Sequence, residues 1–153
     1  MAGDDQMNSD AVVRRTRRRA VVLWGRLAHV YTRFLEAQTR CLRTWDLTFM
    51  EFDILAHIVN NEGCTQTELA ERVLVTQGNI TYHLNKLVQR GLVERRAEWR
   101  SNHLYLTSEG RRLFDEVAPR QEALLVTHLS VLTVEQQELL LAQLRLLEKQ
   151  RWI

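Results

Sequence analysis

The sequence predicts a mainly α fold carrying one small β-hairpin, and three observations predict it. Six glycines and one proline in 153 residues leave few element breakers, which favours long helices over a turn-rich β-sandwich. Apolar residues recur at helical spacing over most of the chain, and the period switches to alternation in one mid-chain stretch. Hydrophobic residues make up 45% of the chain, enough for a real core, which argues against a disordered or fibrous chain.

The elements follow in order. Residues 1–10 carry Asp4, Asp5 and Asp10 without apolar periodicity and read as a mobile tail. Over residues 11–47 the positions Ala20, Trp24, Leu27, Tyr31, Phe34, Cys41 and Trp45 form the stripe of one long amphipathic helix. Three later helices announce themselves by Ser/Thr-x-x-Glu/Gln, in which hydroxyl and N3 side chain each satisfy an orphan backbone N–H. These are Thr48 to Glu51, Thr65 to Glu68 and Thr133 to Gln136.

The first motif opens a helix with Phe49, Phe52, Leu55, Ile58 and Val59 inward, and the second a short helix to about Arg72. Thr76 is placed to cap a further helix with Ile80, Leu84, Leu87 and Val88 inward, ended by Gly91 in the C′ role. Leu92-Val93 then begins one strand and His103 to Leu106 forms another, with Ala97 to Asn102 as hairpin loop. The remainder, residues 107–153, is helical from Thr107 to about Leu132, with Pro119 inside, and again from Val134.

Helix, turn, helix and hairpin over residues 48–106 give the order of a winged helix-turn-helix, in which the second short helix enters the DNA major groove. Ala70 lets the two short helices approach, and Ile80 packs one on the other. The outward face then carries Gln77, Asn79, Thr81, Tyr82, His83, Asn85 and Lys86, with no acidic residue between Thr76 and Arg90. Amides and hydroxyls without carboxylates suit base edges and phosphates. Charge agrees: a net of +2 for the chain conceals Lys86, Arg90, Arg95, Arg96 and Arg100 against Glu94 and Glu98 in residues 76–103. A second basic cluster is Arg14, Arg15, Arg17, Arg18 and Arg19. The expected DNA contacts are Thr65, Gln66, Thr76, Gln77, Asn79, Thr81, Tyr82, His83, Lys86 and Arg100. A winged helix that only docks protein partners is the alternative.

The chain resembles the MarR family of bacterial transcription regulators. The matching residues are Thr67-x-Leu69-Ala70-x-x-Val73, Val75-Thr76-x-Gly78-Asn79-Ile80-Thr81, Leu84-x-x-Leu87-x-x-Arg90-Gly91-Leu92-Val93-x-Arg95 and Leu106-Thr107-x-x-Gly110, and similarity extends over about residues 14 to 150. The resemblance implies a homodimer whose first and last two helices interlock and whose winged units face one duplex. Leu139, Leu140, Leu144, Leu147 and Trp152 support that independently, as more apolar surface than one small domain covers. Two recognition helices about 34 Å apart favour an inverted repeat. The wing departs from the family: Glu98-Trp99-Arg100 stands where Asp-Arg-Arg is common, in a loop about two residues shorter. Arg100 holds the place expected in the minor groove, while Trp99 is expected to pack on its own strand.

Family members often release DNA on binding a small aromatic acid, and a subgroup responding to urate-like anions resembles this chain at Asp53 and Arg95. Trp24 would supply an apolar wall; a structural Asp53–Arg95 bridge is the other reading. Cys41 and Cys64 form no C-x-x-C pair, and no signal-peptide core follows Met1, so a reducing cytoplasm is expected. Cys64 is the better placed of the two for exposure, although a small buried residue is the plainer reading. The five histidines lack ligand spacing, and no metal or other cofactor is expected. Apolar runs such as Ala20 to Trp24 fall far short of the roughly 20 residues that cross a bilayer, so no membrane partner is expected. No phosphate loop, nucleophile elbow or His-Glu-x-x-His occurs, which argues against an enzyme.

Overall fold

The computed structural model describes the backbone of residues 2–73, 77–98 and 101–150, and side chains from residue 14 onward apart from those of Gln77 and Glu98. Thr76, Trp99, Arg100 and Trp152 therefore lie outside the described residues. The order is α1 (Ala2–Leu42), a 3-10 turn (Arg43–Trp45), α2 (Phe49–Asn60), β1 (Cys64–Thr65), α3 (Gln66–Val73), α4 (Gln77–Gln89), β2 (Val93–Glu98), β3 (Ser101–Leu106), α5 (Ser108–Leu129) and α6 (Val134–Glu148). The chain divides into two compact units, Met1–Ala37 and Gln38–Ile153.

The first unit is the body of α1. Its helix begins at Ala2, so the backbone of residues 2–10, expected as a mobile tail, is helical and continuous with α1. Absence of apolar periodicity removes the sign of a buried face, but it does not prevent a helix from extending backward from a long amphipathic one.

The second unit holds the core. α2 contributes Ile54, Leu55 and Ile58, and α4 contributes Ile80, Leu84 and Leu87, all fully buried. Spacings of three and four residues put each trio on one stripe, and each such side chain contributes about 1.5 to 3 kcal/mol by burial. Leu42, Leu47 and Cys64, with Leu69 and Ala70 of α3, Leu92 and Val93, Leu104 of β3 and Val117 of α5, complete the cluster. Phe52 and Phe114 stack at 5.8 Å and fasten α2 to α5.

The three strands run antiparallel in the order β1-β3-β2. The β2–β3 ladder extends from Val93↔Leu106 to Glu98↔Ser101, so the expected loop Ala97 to Asn102 is largely strand. Ala97, Ser101 and Asn102 of that outer ladder are exposed, and the alternation that marks a half-buried strand does not appear in their sequence. β1, with Cys64↔Leu104, was not expected: two residues carry no period. Gly63, at φ 80, turns the chain into it, and Gly63 N donates to Leu104 O at 3.0 Å.

Local chemistry sets the helix ends. Thr48 and Thr133 each form the reciprocal capping box foreseen for them. Thr65 and Glu68 make the same exchange, Glu68 N donating to Thr65 Oγ1 at 3.3 Å and Thr65 N to Glu68 Oε2 at 2.8 Å. These bonds hold the Glu68 carboxyl below its ordinary range. Gly91 terminates α4 at φ 69, the left-handed value a C′ glycine supplies without strain. α5 runs unbroken through Pro119.

Candidate nucleic-acid interface

α3 and α4 are joined by residues 74–76, and their pairing rests on Leu69, Ala70 and Ile80. The small Ala70 lets α4 lie close, and one polar bond fixes the pair: Gln66 Nε2 donates to Thr81 Oγ1 at 2.7 Å. Gln66 and Thr81, both expected at DNA, are thus tied together between the helices. Thr65 is engaged with Glu68 at the start of α3.

With Ile80, Leu84 and Leu87 inward, helical geometry turns Asn79, Tyr82, Asn85 and Lys86 outward, and all four are exposed. Tyr82 is 57% exposed, and Lys86 Nζ sits 4.7 Å above its ring centroid. Hydrogen bonding with the Tyr82 hydroxyl shifts the Lys86 pKa upward. The first turn of α4 carries no acidic residue, so this face offers amide, phenol and ammonium groups to an anionic partner.

His83 was expected on the same face and is corrected. Its side chain is 16% exposed, with Nδ1 3.6 Å from Glu51 Oε1, and that nitrogen is buried without a hydrogen bond. Thr48 N donates to the other Glu51 oxygen at 2.9 Å. Glu51, only 3% exposed, therefore caps its own helix and faces the recognition helix with the same carboxylate. Helical phase explains the miss: position 83 lies between inward Ile80 and Leu84 on one side and outward Tyr82 on the other, and composition does not settle a boundary position.

The wing is secured to α4. Arg95 donates to Asn85 Oδ1 at 2.8 Å, while Arg96 bonds Glu94 at 2.9 Å and stacks 4.3 Å from the Tyr105 ring centroid. Of the anion-site candidates Trp24, Asp53 and Arg95, the last has the Asn85 partner. Asp53 Oδ1 lies 3.8 Å from His57 Nε2, so the expected alternative of an Asp53–Arg95 bridge is replaced by two other pairings. Burial pushes the Asp53 carboxyl up, with His57 opposing. Trp24 belongs to the first unit and is 72% exposed.

Sequence reasoning missed an open cleft of about 470 Å³ lined by Arg43, Asp46, Thr48, Glu51, Lys86 and Arg90 among others. Arg90, on its lining, donates to Asp46 O at 2.5 Å and Trp45 O at 3.1 Å. Its walls come from separate segments, and no spacing in the chain announces that convergence. Cys64 is buried, the plainer of its two readings, and burial pushes its thiol up, opposite to what an oxidant sensor requires. Among the described residues no group of three metal-ligating side chains occurs, and no helix is long and apolar enough to cross a membrane.

Known proteins share this arrangement. The MarR family profile matches residues 45–98. An HTH-type transcriptional regulator of Bacillus cereus is 32% identical over 120 residues, covering 78% of this chain and 82% of the relative. The transcriptional regulator HosA of Escherichia coli is 28% identical over 103 residues, 65% and 76% of the two chains. Among solved structures, a mutant MarR of Escherichia coli complexed with operator DNA aligns with a TM-score of 0.76 at 25% identity, covering 84% of this chain and 95% of that one. Bordetella bronchiseptica BpsR, described with regulation of its DNA binding by 6-hydroxynicotinic acid, shares the fold at a TM-score of 0.72 and 20% identity, over 79% and 90%. With its winged unit and most of its length matched in this way, the chain belongs to the MarR family of transcriptional regulators.

Proposed function

We propose that this regulator is a homodimeric repressor that reads an inverted repeat in duplex DNA and releases it when a small aromatic carboxylate binds. The observation that carries the reading is the carboxylate-free outward face of α4, with exposed Asn79, Tyr82 and Lys86. Asn suits a bidentate contact to adenine, and Lys86, held over Tyr82, suits a phosphate. The operator-bound MarR supplies a related precedent at 25% identity. α6 supports the dimer, with Leu139, Leu140, Leu141, Leu146 and Leu147 exposed as a second copy would require. A reducing cytoplasm, where the nucleoid lies, is the proposed location.

The Arg95–Asn85 bond supports the switch. An anion that draws the Arg95 guanidinium from Asn85 would free the wing from α4, and only a ligand preferring that arrangement lowers DNA affinity. The neighbouring BpsR, with its 6-hydroxynicotinic acid response, makes aromatic acids the first compounds to titrate.

Duplex binding across a salt series tests the reading. A dimer neutralising about 6 to 10 phosphates loses about 10³- to 10⁵-fold in affinity between about 50 and 200 mM salt. Absence of binding to any duplex from a genomic library at low salt would favour the protein-docking module instead. Arg95→Ala is expected to abolish the aromatic-acid response while changing ligand-free affinity less.

A further inference from the structure

Several basic groups of the second unit are used within it: Arg90 on backbone carbonyls, Arg95 on Asn85, Arg96 on Glu94, Arg111 on Glu62 and Arg112 on Glu109. α1 is different. Arg15, Arg17, Arg18 and Arg19 are exposed, and among the described residues none of them pairs with a carboxylate. The sequence explains why. No Asp or Glu occurs between Asp10 and Glu36, while seven arginines do.

Such a segment is costly left alone. At about 100° per residue, Arg15 and Arg19 are i,i+4 neighbours and Arg15 and Arg18 are i,i+3 neighbours, so like charges crowd one another. An external polyanion turns that repulsion into attraction. Arginine, with a planar fork matched to phosphate oxygens, is the residue that binds phosphate bidentately.

We propose that the arginine segment of α1, residues 14–19, grips the phosphate backbone of duplex DNA without reading sequence, as a nucleic-acid contact separate from α4. The proposal rests on the reading of the protein as a DNA-binding regulator. It adds a second contact whose energetics are those of counterion release, not of base recognition.

Charge geometry favours duplex DNA over a lipid surface. A helix lying in a bilayer interface needs a charged face beside an apolar face along the same stretch. Here the two characters follow one another end to end. The arginines fan over about 200° of the circumference across residues 14–19, the opposite face of that stretch carries only the small Thr16 and Ala20, and exposed Val21, Val22, Leu23 and Trp24 follow as a separate apolar block. Phosphates spaced along a rod of high charge density match a compact arginine block of this kind.

The test compares the full-length chain with its fourfold variant Arg15→Gln, Arg17→Gln, Arg18→Gln, Arg19→Gln, and with the corresponding fourfold Lys variant. Glutamine keeps helix propensity close to that of arginine, and circular dichroism verifies that α1 persists. Affinity for a random-sequence duplex is measured across salt concentrations. The Gln variant is expected to lose affinity, with the slope of log K against log salt falling by about 0.9 for each arginine that leaves a phosphate. The Lys variant is expected to retain most of that slope, and preference for the specific site over random DNA is expected to remain. An unchanged slope in the Gln variant overturns this proposal and leaves the α4 reading intact, to be judged by loss of base preference in Asn79→Ala. A wild-type chain that binds no duplex overturns both. Arginine-dependent binding to phosphatidylserine vesicles, with DNA affinity unaltered, would assign the segment to a membrane and overturn the proposal as well.

Discussion

α4 and α6 are helices of similar length, 13 and 15 residues, with opposite surfaces. α4 buries Ile80, Leu84 and Leu87 completely, and its exposed positions 78, 79, 82, 85, 86 and 89 are Gly, Asn, Tyr, Asn, Lys and Gln. α6 buries nothing within the chain and exposes five leucines. An apolar stripe therefore has two meanings: in α4 it is satisfied inside its own unit, whereas in α6 it still faces water. The polar face of α4 is a finished surface, and what it meets must be met by hydrogen bonding and charge.

Leu84→Ala should have the largest effect on stability, about 2 to 5 kcal/mol in denaturant unfolding, since it empties a fully buried site. Asn79→Ala should leave stability nearly untouched and cost about 1 to 3 kcal/mol in discrimination between operator and random duplex, while Lys86→Ala weakens both alike. Equal losses for Asn79→Ala on both duplexes would remove it as a base reader. The caps give a matched pair: Thr48→Ala and Thr133→Ala each remove one hydroxyl, for about 0.5 to 2 kcal/mol. The α2 cap should lie at the upper end, because its partner carboxylate is the buried Glu51.

Asp53→Asn sharpens the comparison through pH. Burial raises the Asp53 pKa in the fold, so its ionised form costs stability at neutral pH, and that cost disappears as pH falls through the raised value. The Asn variant should unfold at a higher temperature than wild type near pH 7, with the difference closing at acid pH. Leu139→Ala on α6 should have the smallest effect, within about 0.5 kcal/mol at high dilution, growing with protein concentration if a second copy covers that helix. A loss equal to that of Leu84→Ala at every concentration would break the contrast between the two helices.

The elements legible in the sequence were those whose signals are local. Thr48, Thr133 and Gly91 act within one turn of themselves, and Ile80, Leu84 and Leu87 repeat within one helix. What escaped depends on chain segments meeting. β1 exists because Leu104 lies opposite Cys64, His83 turns in because Glu51 of another helix faces it, and Arg95 is occupied because Asn85 lies alongside. The cleft lined by Arg90 joins residues more than forty positions apart. Hairpin length escaped for another reason, since the end of the wing, exposed at Ala97, Ser101 and Asn102, carries no burial pattern. Asn79, Tyr82 and Lys86 could be placed on the outward face because an amphipathic helix assigns its polar side once its apolar side is known.

Gly110 makes a connection of its own. A β-carbon there would lie 1.9 Å from Leu92 O, the same oxygen that accepts the Thr107 N–H at 3.1 Å, and Thr107 Oγ1 bonds Gly91 O at 2.6 Å. The first turn of α5 is thereby seated directly on the backbone where α4 ends and the wing begins. A joint of backbone on backbone, fastened by one short hydroxyl, has little rotamer freedom to absorb motion, so a tilt at the foot of α5 would pass to the wing as through a rigid bracket. Any larger residue at position 110 would act as a shim, changing the angle of that bracket before it changed anything else.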